Sequence, residues 1–172
     1  MHPVEKYLAT YAEPEIEAAQ GLPEKIWDEA LIIPARLESD HLFETLKSIE
    51  RAAEMSAKAV LTIIVVNGQD RDILENCKVL ENLKGLSHRF GSYISKNRHN
   101  DYLVIDRASA GRTFLAKEGV GLARKIGCDI ALTLFAQQKI RSPWLRNTDA
   151  DVLVPEDYFL DFDSHRDRKP SG

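Results

Sequence analysis

The sequence predicts an α/β protein of three layers, α/β/α, built on a mainly parallel central sheet. Three observations lead there. Two continuous apolar runs, Ala30-Leu31-Ile32-Ile33-Pro34 and Val60-Leu61-Thr62-Ile63-Ile64-Val65-Val66, read as strands buried on both faces. Each is followed by a stretch whose apolar residues recur at helical spacing. Strand, helix, strand, helix in a chain of 172 residues implies right-handed βαβ units in one Rossmann-like sheet.

In chain order, Val4, Tyr7, Leu8 and Tyr11 lie at helical spacing until Pro14 interrupts them, which predicts a helical extension within residues 1–28. Gly21 and Pro23 separate it from the first strand. After that strand, Ser39 and Asp40 are suitable N-caps, and Leu42, Leu46, Ile49 and Ala53 put an apolar stripe on a helix over about residues 40–56. The second strand stops at Asn67-Gly68, a turn pair. Ile73, Cys77, Leu80 and Lys84 mark a second helix, ended by Gly85. Residues 86–101 are mixed and polar and predict a loop with short pieces of structure at most. Residues 102–106 read as a third strand. From Gly111 onward, Leu115, Leu122, Ile126, Ile130 and Leu134 favour one long or kinked helix to about Gln138. The alternative is a helix ended by Gly127 and a strand over residues 130–135. Ser142-Pro143 then introduces a fourth strand over residues 144–148, and the charged tail from residue 161 is expected to be solvated or disordered. One domain is thus expected over residues 29–160.

Composition narrows the function classes. With 44% hydrophobic and 29% charged residues the chain is an ordinary globular sequence. A net charge of -4 and a pI near 5.8 argue against a nucleic-acid or anionic-membrane partner, because Lys and Arg hold those surfaces. Cys77 and Cys128 form neither a CxxC nor a Cys/His pattern, so no disulfide framework or structural zinc is indicated, and a reducing cytoplasmic setting is the simplest expectation. The start carries no signal-peptide pattern, and the longest apolar run, around residues 60–66, is too short to span a bilayer.

The chemistry concentrates where the fourth strand ends, at Asp149-Ala150-Asp151. On an extended strand two such carboxylates share a face, with Cα atoms roughly 6–7 Å apart. Mg²⁺ typically takes one or two carboxylates and fills its other positions with water and phosphate oxygens. An EF-hand is excluded: Val154 occupies the position of the required glycine and Leu160 that of the bidentate glutamate. In an open α/β sheet, ligands bind beyond the carboxyl ends of the strands. Those ends carry Pro34-Ala35-Arg36, Asn67-Gly68, Asp106-Arg107 and the Asp pair, a mixed rim suited to a nucleotide. Gly119-Val120-Gly121 does not complete a dinucleotide fingerprint, since Arg124 stands at the third glycine position. The five histidines show no ligand spacing, and Trp27 and Trp144 read as packing residues rather than sugar platforms.

Residues 30–38 (ALIIPARLE), 60–70 (VLTIIVVNGQD), 119–127 (GVGLARKIG) and 144–158 (WLRNTDADVLVPEDY) follow the order and spacing of the family 2 glycosyltransferases. The chain resembles the N-terminal, nucleotide-sugar-binding part of their GT-A fold over about residues 29–160. The resemblance implies a metal-dependent transfer of a sugar from a UDP- or GDP-linked donor to an acceptor hydroxyl of unknown identity. It makes Asp151 the ligand of Mn²⁺ or Mg²⁺, with Asp149 contacting the donor's ribose or supporting the metal. Pro34, Ala35 and Arg36 would border the base, Asn67 would recognise it, and Arg124 would lie near the base or phosphates, with Lys117 a weaker candidate for the same anion. The chain departs from the family at Arg36-Leu37, where an aromatic residue and Asn are frequent, and at Asn67, where Asp is frequent. An amide presents both donors and acceptors, and Arg36 can stack on a base or bind phosphate.

The family's acceptor part and catalytic carboxylate lie downstream of the Asp pair, so a fragment is expected. Glu156 and Asp157 stand too close to the metal loop to serve as the base, and no base is assigned. Two other classes compete: a non-catalytic nucleotide-binding or scaffold protein of the same fold, and a nucleotidyltransferase. The latter expects a glycine-rich loop after the first strand, and Arg36-Leu37-Glu38-Ser39 supplies no glycine.

Overall fold

A computed structural model describes residues 3–85, 89–90 and 93–160; the predicted charged tail lies outside the described residues. Helix α1 (Pro3–Tyr11) and a 3-10 segment (Pro14–Gly21) precede strand β1 (Glu29–Ala35), helix α2 (Leu42–Ser56) and strand β2 (Val60–Asn67). A short 3-10 turn (Asp70–Asp72) opens helix α3 (Ile73–Lys84). Strands β3 (Arg89–Phe90), β4 (Tyr93–Ser95) and β5 (Asn100–Arg107), helix α4 (Val120–Ala136) and strand β6 (Leu145–Asn147) complete it.

The strand order is β3-β4-β5-β2-β1-β6. Strands β5, β2, β1 and β6 are parallel, and β4 and β3 add an antiparallel edge. Every residue of β1 and β2 is buried, which is why both read as unbroken apolar runs. Alternate side chains divide between two layers. Leu31, Ile33, Ile64 and Val66 meet α2 and α3 through Leu46, Ile49, Val79 and Leu83. Ala30, Ile32, Ile63 and Val65 meet α4 through Ala123, Ile126, Ile130 and Leu134 on the opposite face. The three-layer α/β/α arrangement with a mostly parallel sheet is therefore observed.

The N-terminal extension docks on α4 around Asp129, an acid buried on a mostly apolar helix. Tyr7 Oη and the Glu13 amide donate to its two oxygens at 2.9 Å each, and Lys125 Nζ joins at 2.8 Å.

Several elements differ from the sequence expectation. Residues 86–101 contain β3, β4 and the start of β5. Their polarity is accommodated by long-range partners: Thr62 Oγ1 donates to Asn100, and Trp27 Nε1 and Lys25 Nζ donate to buried Asp101 at 2.7 and 2.6 Å. Helix α4 starts at Val120 rather than Gly111, because Phe114 drops into the core and its amide donates to the Gly68 carbonyl. It then runs unbroken through Gly127, so residues 130–135 are helical. Helix α2 begins at Leu42 with no side-chain cap, and Ser39 Oγ turns to Asp40 instead. Trp27 is fully buried as expected, whereas Trp144 is 75% exposed and packs no core.

Candidate functional site

Strand β1 has β2 on one side and β6 on the other. The connection leaving β1 crosses toward β2, while the chain that enters β6 comes from α4 on the other face. The carboxyl ends of β1 and β6 therefore flank the topological switch point, where an open α/β sheet leaves a crevice. Arg36, Leu37 and Glu38 leave β1 there, and Thr148, Asp149, Ala150 and Asp151 leave β6.

The acidic pair lies in a turn after β6, not on the strand as the alternation argument expected. The strand ends at Asn147 because Ala150 is drawn inward: it is buried, and its carbonyl accepts from Thr45 Oγ1 of α2 at 2.8 Å. Four residues on, the Val154 amide donates to Ser48 Oγ at 3.0 Å. Arg146 of β6 holds the end of the segment. It lies 5.3 and 5.6 Å over the Tyr158 and Phe159 rings, donates to the Tyr158 carbonyl at 3.0 Å and pairs with buried Glu29. With Ala150 pinned inward, Asp149 and Asp151 stand exposed on either side of it.

Arg124, on the second turn of α4, donates to Asp149 Oδ1. The structure thus joins Arg124 and Asp149 from separate elements. It also adds Glu38, which the sequence reading did not single out. Burial holds the half-buried Glu38 carboxyl above its ordinary range, and the charges of Asp151 and Asp149 push the same way while His41 opposes them. Glu38, Asp149 and Asp151 are thus within electrostatic reach of one another at this end of the sheet. The available signal was positional: Glu38 is the first acid after β1, on the same sheet edge as the pair.

The other expected residues divide. Pro34 and Ala35 are buried within β1. Asn67 is 2% exposed, and its amide donates to the Ala35 and Val65 carbonyls at 3.3 and 3.2 Å, so it ties β2 to β1 beneath the rim. Arg36 reaches the rim but grips Asp72 through Nε at 3.0 Å and Nη2 at 2.8 Å. The Leu37 amide donates to Asn76 Oδ1, and Asn76 Nδ2 donates to the Asn67 carbonyl. Gly68 is required beside this bridge, since a Cβ there would lie 2.2 Å from Asn76 Nδ2. Lys117 is exposed on the loop before α4.

The Asp72 tether is charge-dependent. The Gln69 amide holds its carboxyl below the usual range; burial opposes this, and Arg36 adds to it. A carboxylate depressed in the folded state stabilises the fold above its unfolded pKa of roughly 3.9, and the contribution is lost as pH falls through the folded value. Asp72→Asn is expected to flatten the decline of melting temperature between about pH 5 and 3 relative to the native chain. Equal slopes in the two proteins would show that the tether carries no such charge.

Oxygen-only donors suit a hard cation such as Mg²⁺ or Mn²⁺. Among the described residues no group of three His, Cys, Asp or Glu side chains is placed to hold an ion. The exposed Asp149 and Asp151 would offer such a cation two carboxylates, with water and ligand oxygens completing its shell. Among the described residues, no helix is long and apolar enough to cross a membrane. Compared with protein-family models, with curated proteins and with solved structures, the chain matches none.

Proposed function

We propose that the chain is the donor-binding part of a metal-dependent glycosyltransferase of GT-A type, taking a nucleoside diphosphate sugar. The observation that carries this reading is the Asp149-Ala150-Asp151 turn at the switch point beside Arg124. Asp151 and Asp149 would hold Mn²⁺ or Mg²⁺, and Arg124 would reach a diphosphate oxygen. A bound divalent ion supplies Lewis-acid stabilisation of the charge left on the diphosphate as the sugar departs. The bond from the anomeric carbon to the diphosphate oxygen breaks, a bond to the acceptor oxygen forms, and the acceptor proton passes to a base. Arg124, carried on a helix and not on a loop, would bring a cation to the leaving group from a fixed backbone position.

UDP or GDP with Mn²⁺ at about a hundred times the dissociation constant is expected to raise the melting temperature by roughly 5–10 °C. Asp151→Ala should abolish the shift while leaving the ligand-free melting temperature unchanged, because Asp151 is exposed. Absence of a shift with every nucleoside diphosphate tested would refute the reading. Release of free sugar or transfer to an added acceptor separates an enzyme from a nucleotide-binding protein of the same fold.

A further inference from the structure

We propose that Arg124 is an internal counter-ion, paired with Asp149 in the free protein and handed to the ligand's phosphate when a divalent cation and a nucleoside diphosphate load together. This rests on the reading of the site given above and concerns how that site fills. Asp149 and Asp151 stand exposed on either side of buried Ala150, and Arg124 Nη2 answers their charge directly at Asp149 Oδ1. The two side chains are 41% and 53% exposed, so the pair is screened and weak enough to exchange. The backbone on both sides is fixed: α4 packs on β1 and β2, and Ala150 is pinned to Thr45. Only the guanidinium has to swing.

A cation arriving alone must displace the guanidinium from Asp149 while two positive charges repel. A diphosphate changes the balance, because its oxygens match the planar guanidinium fork and draw Arg124 away. The freed carboxylate then serves the cation. Cation and diphosphate thus strengthen each other's binding, and part of that coupling runs through Arg124.

Calorimetry with Mn²⁺ alone, and with UDP or GDP in its presence and absence, tests the exchange. Arg124→Gln is expected to bind Mn²⁺ alone about two- to fivefold tighter than the native chain, the range of a half-exposed ion pair. The same variant should bind nucleotide with Mn²⁺ at least about tenfold more weakly, as expected for a lost hydrogen bond to a charged group. Arg124→Lys keeps the charge but not the fork, and should keep native-like Mn²⁺ affinity while losing most of the nucleotide effect. Asp149→Asn, which frees Arg124 from the other side, should bind nucleotide without metal about two- to fivefold tighter. Native binding of Mn²⁺ and nucleotide with no gain of Mn²⁺ affinity in Arg124→Gln, or no gain of metal-free nucleotide affinity in Asp149→Asn, overturns the exchange alone. A native chain that binds neither Mn²⁺ nor nucleotide overturns the site reading as well.

Discussion

Gly127→Ala is expected to lower the melting temperature, by up to about 8 °C, although alanine is the better helix former. Gly127 sits in the middle of α4 and packs closely on Ile32 of β1. A Cβ at that position would lie 2.4 Å from Ile32 Cγ2, 3.2 Å from Cγ1 and 3.3 Å from Cβ. Ile32 is fully buried between β2 and β6, and a β-branched side chain has little rotameric freedom, so it cannot step aside. The helix itself must lift. Overpacking of this kind costs about 1–3 kcal/mol or more, against a propensity gain of about 1 kcal/mol from replacing glycine. Gly121 of the same helix provides the control: a Cβ there meets nothing within 4 Å, and Gly121→Ala is expected to raise the melting temperature by a few degrees. Thermal melts followed by circular dichroism give both signs. A gain in both variants would contradict the close approach of α4 to the sheet.

Arg146→Ala is expected to destabilise the fold by about 2–4 kcal/mol and to abolish any stabilisation by nucleotide with Mn²⁺. Arg146 is 18% exposed at its side chain and Glu29 only 5%, so the pair is largely removed from water. Removing one partner of a buried pair costs about 3–5 kcal/mol. Here the loss is smaller, because Lys58 Nζ still reaches Glu29 at 3.1 Å. To it are added the two ring contacts and the bond to the Tyr158 carbonyl, which together keep Phe159 in the core and the acidic turn in place. Arg146→Lys should not rescue, since a planar guanidinium is what lies over both rings. Amide hydrogen exchange locates the effect: protection at Val154 and Tyr158, whose amides donate to Ser48 Oγ and the Pro155 carbonyl, should fall well before that of β1 and β2. Native-like protection of that segment in Arg146→Ala would show that Arg146 does not hold the turn.

The expected base-facing residues show why position in the chain was a partial guide to the site. Asn67 stands at the end of β2 as the sequence indicated, yet its amide is spent on two carbonyls of the sheet, and Arg36 is spent on Asp72. Arg124 and Asp149 were singled out separately from the sequence. That they meet is a consequence of α4 crossing behind β1 to deliver β6 on its far side.

What the sequence determined by itself is the framework: β1, α2, β2 and α3, and an acidic pair at the carboxyl end of the last strand. Burial leaves a periodic trace wherever an element is apolar on the faces it hides. The tertiary structure decided what carries no such trace. Asn100 and Asp101 lie in a strand because Thr62, Lys25 and Trp27 reach one oxygen of each from distant parts of the chain. Asp149 and Asp151 stand in a turn because Thr45 and Ser48 of α2 hold the backbone around them. Glu38 joins the pair only because β1 and β6 are neighbours. A hydrogen bond or an ion pair depends on distance in space, and residues far apart in the chain become neighbours only when the layers close.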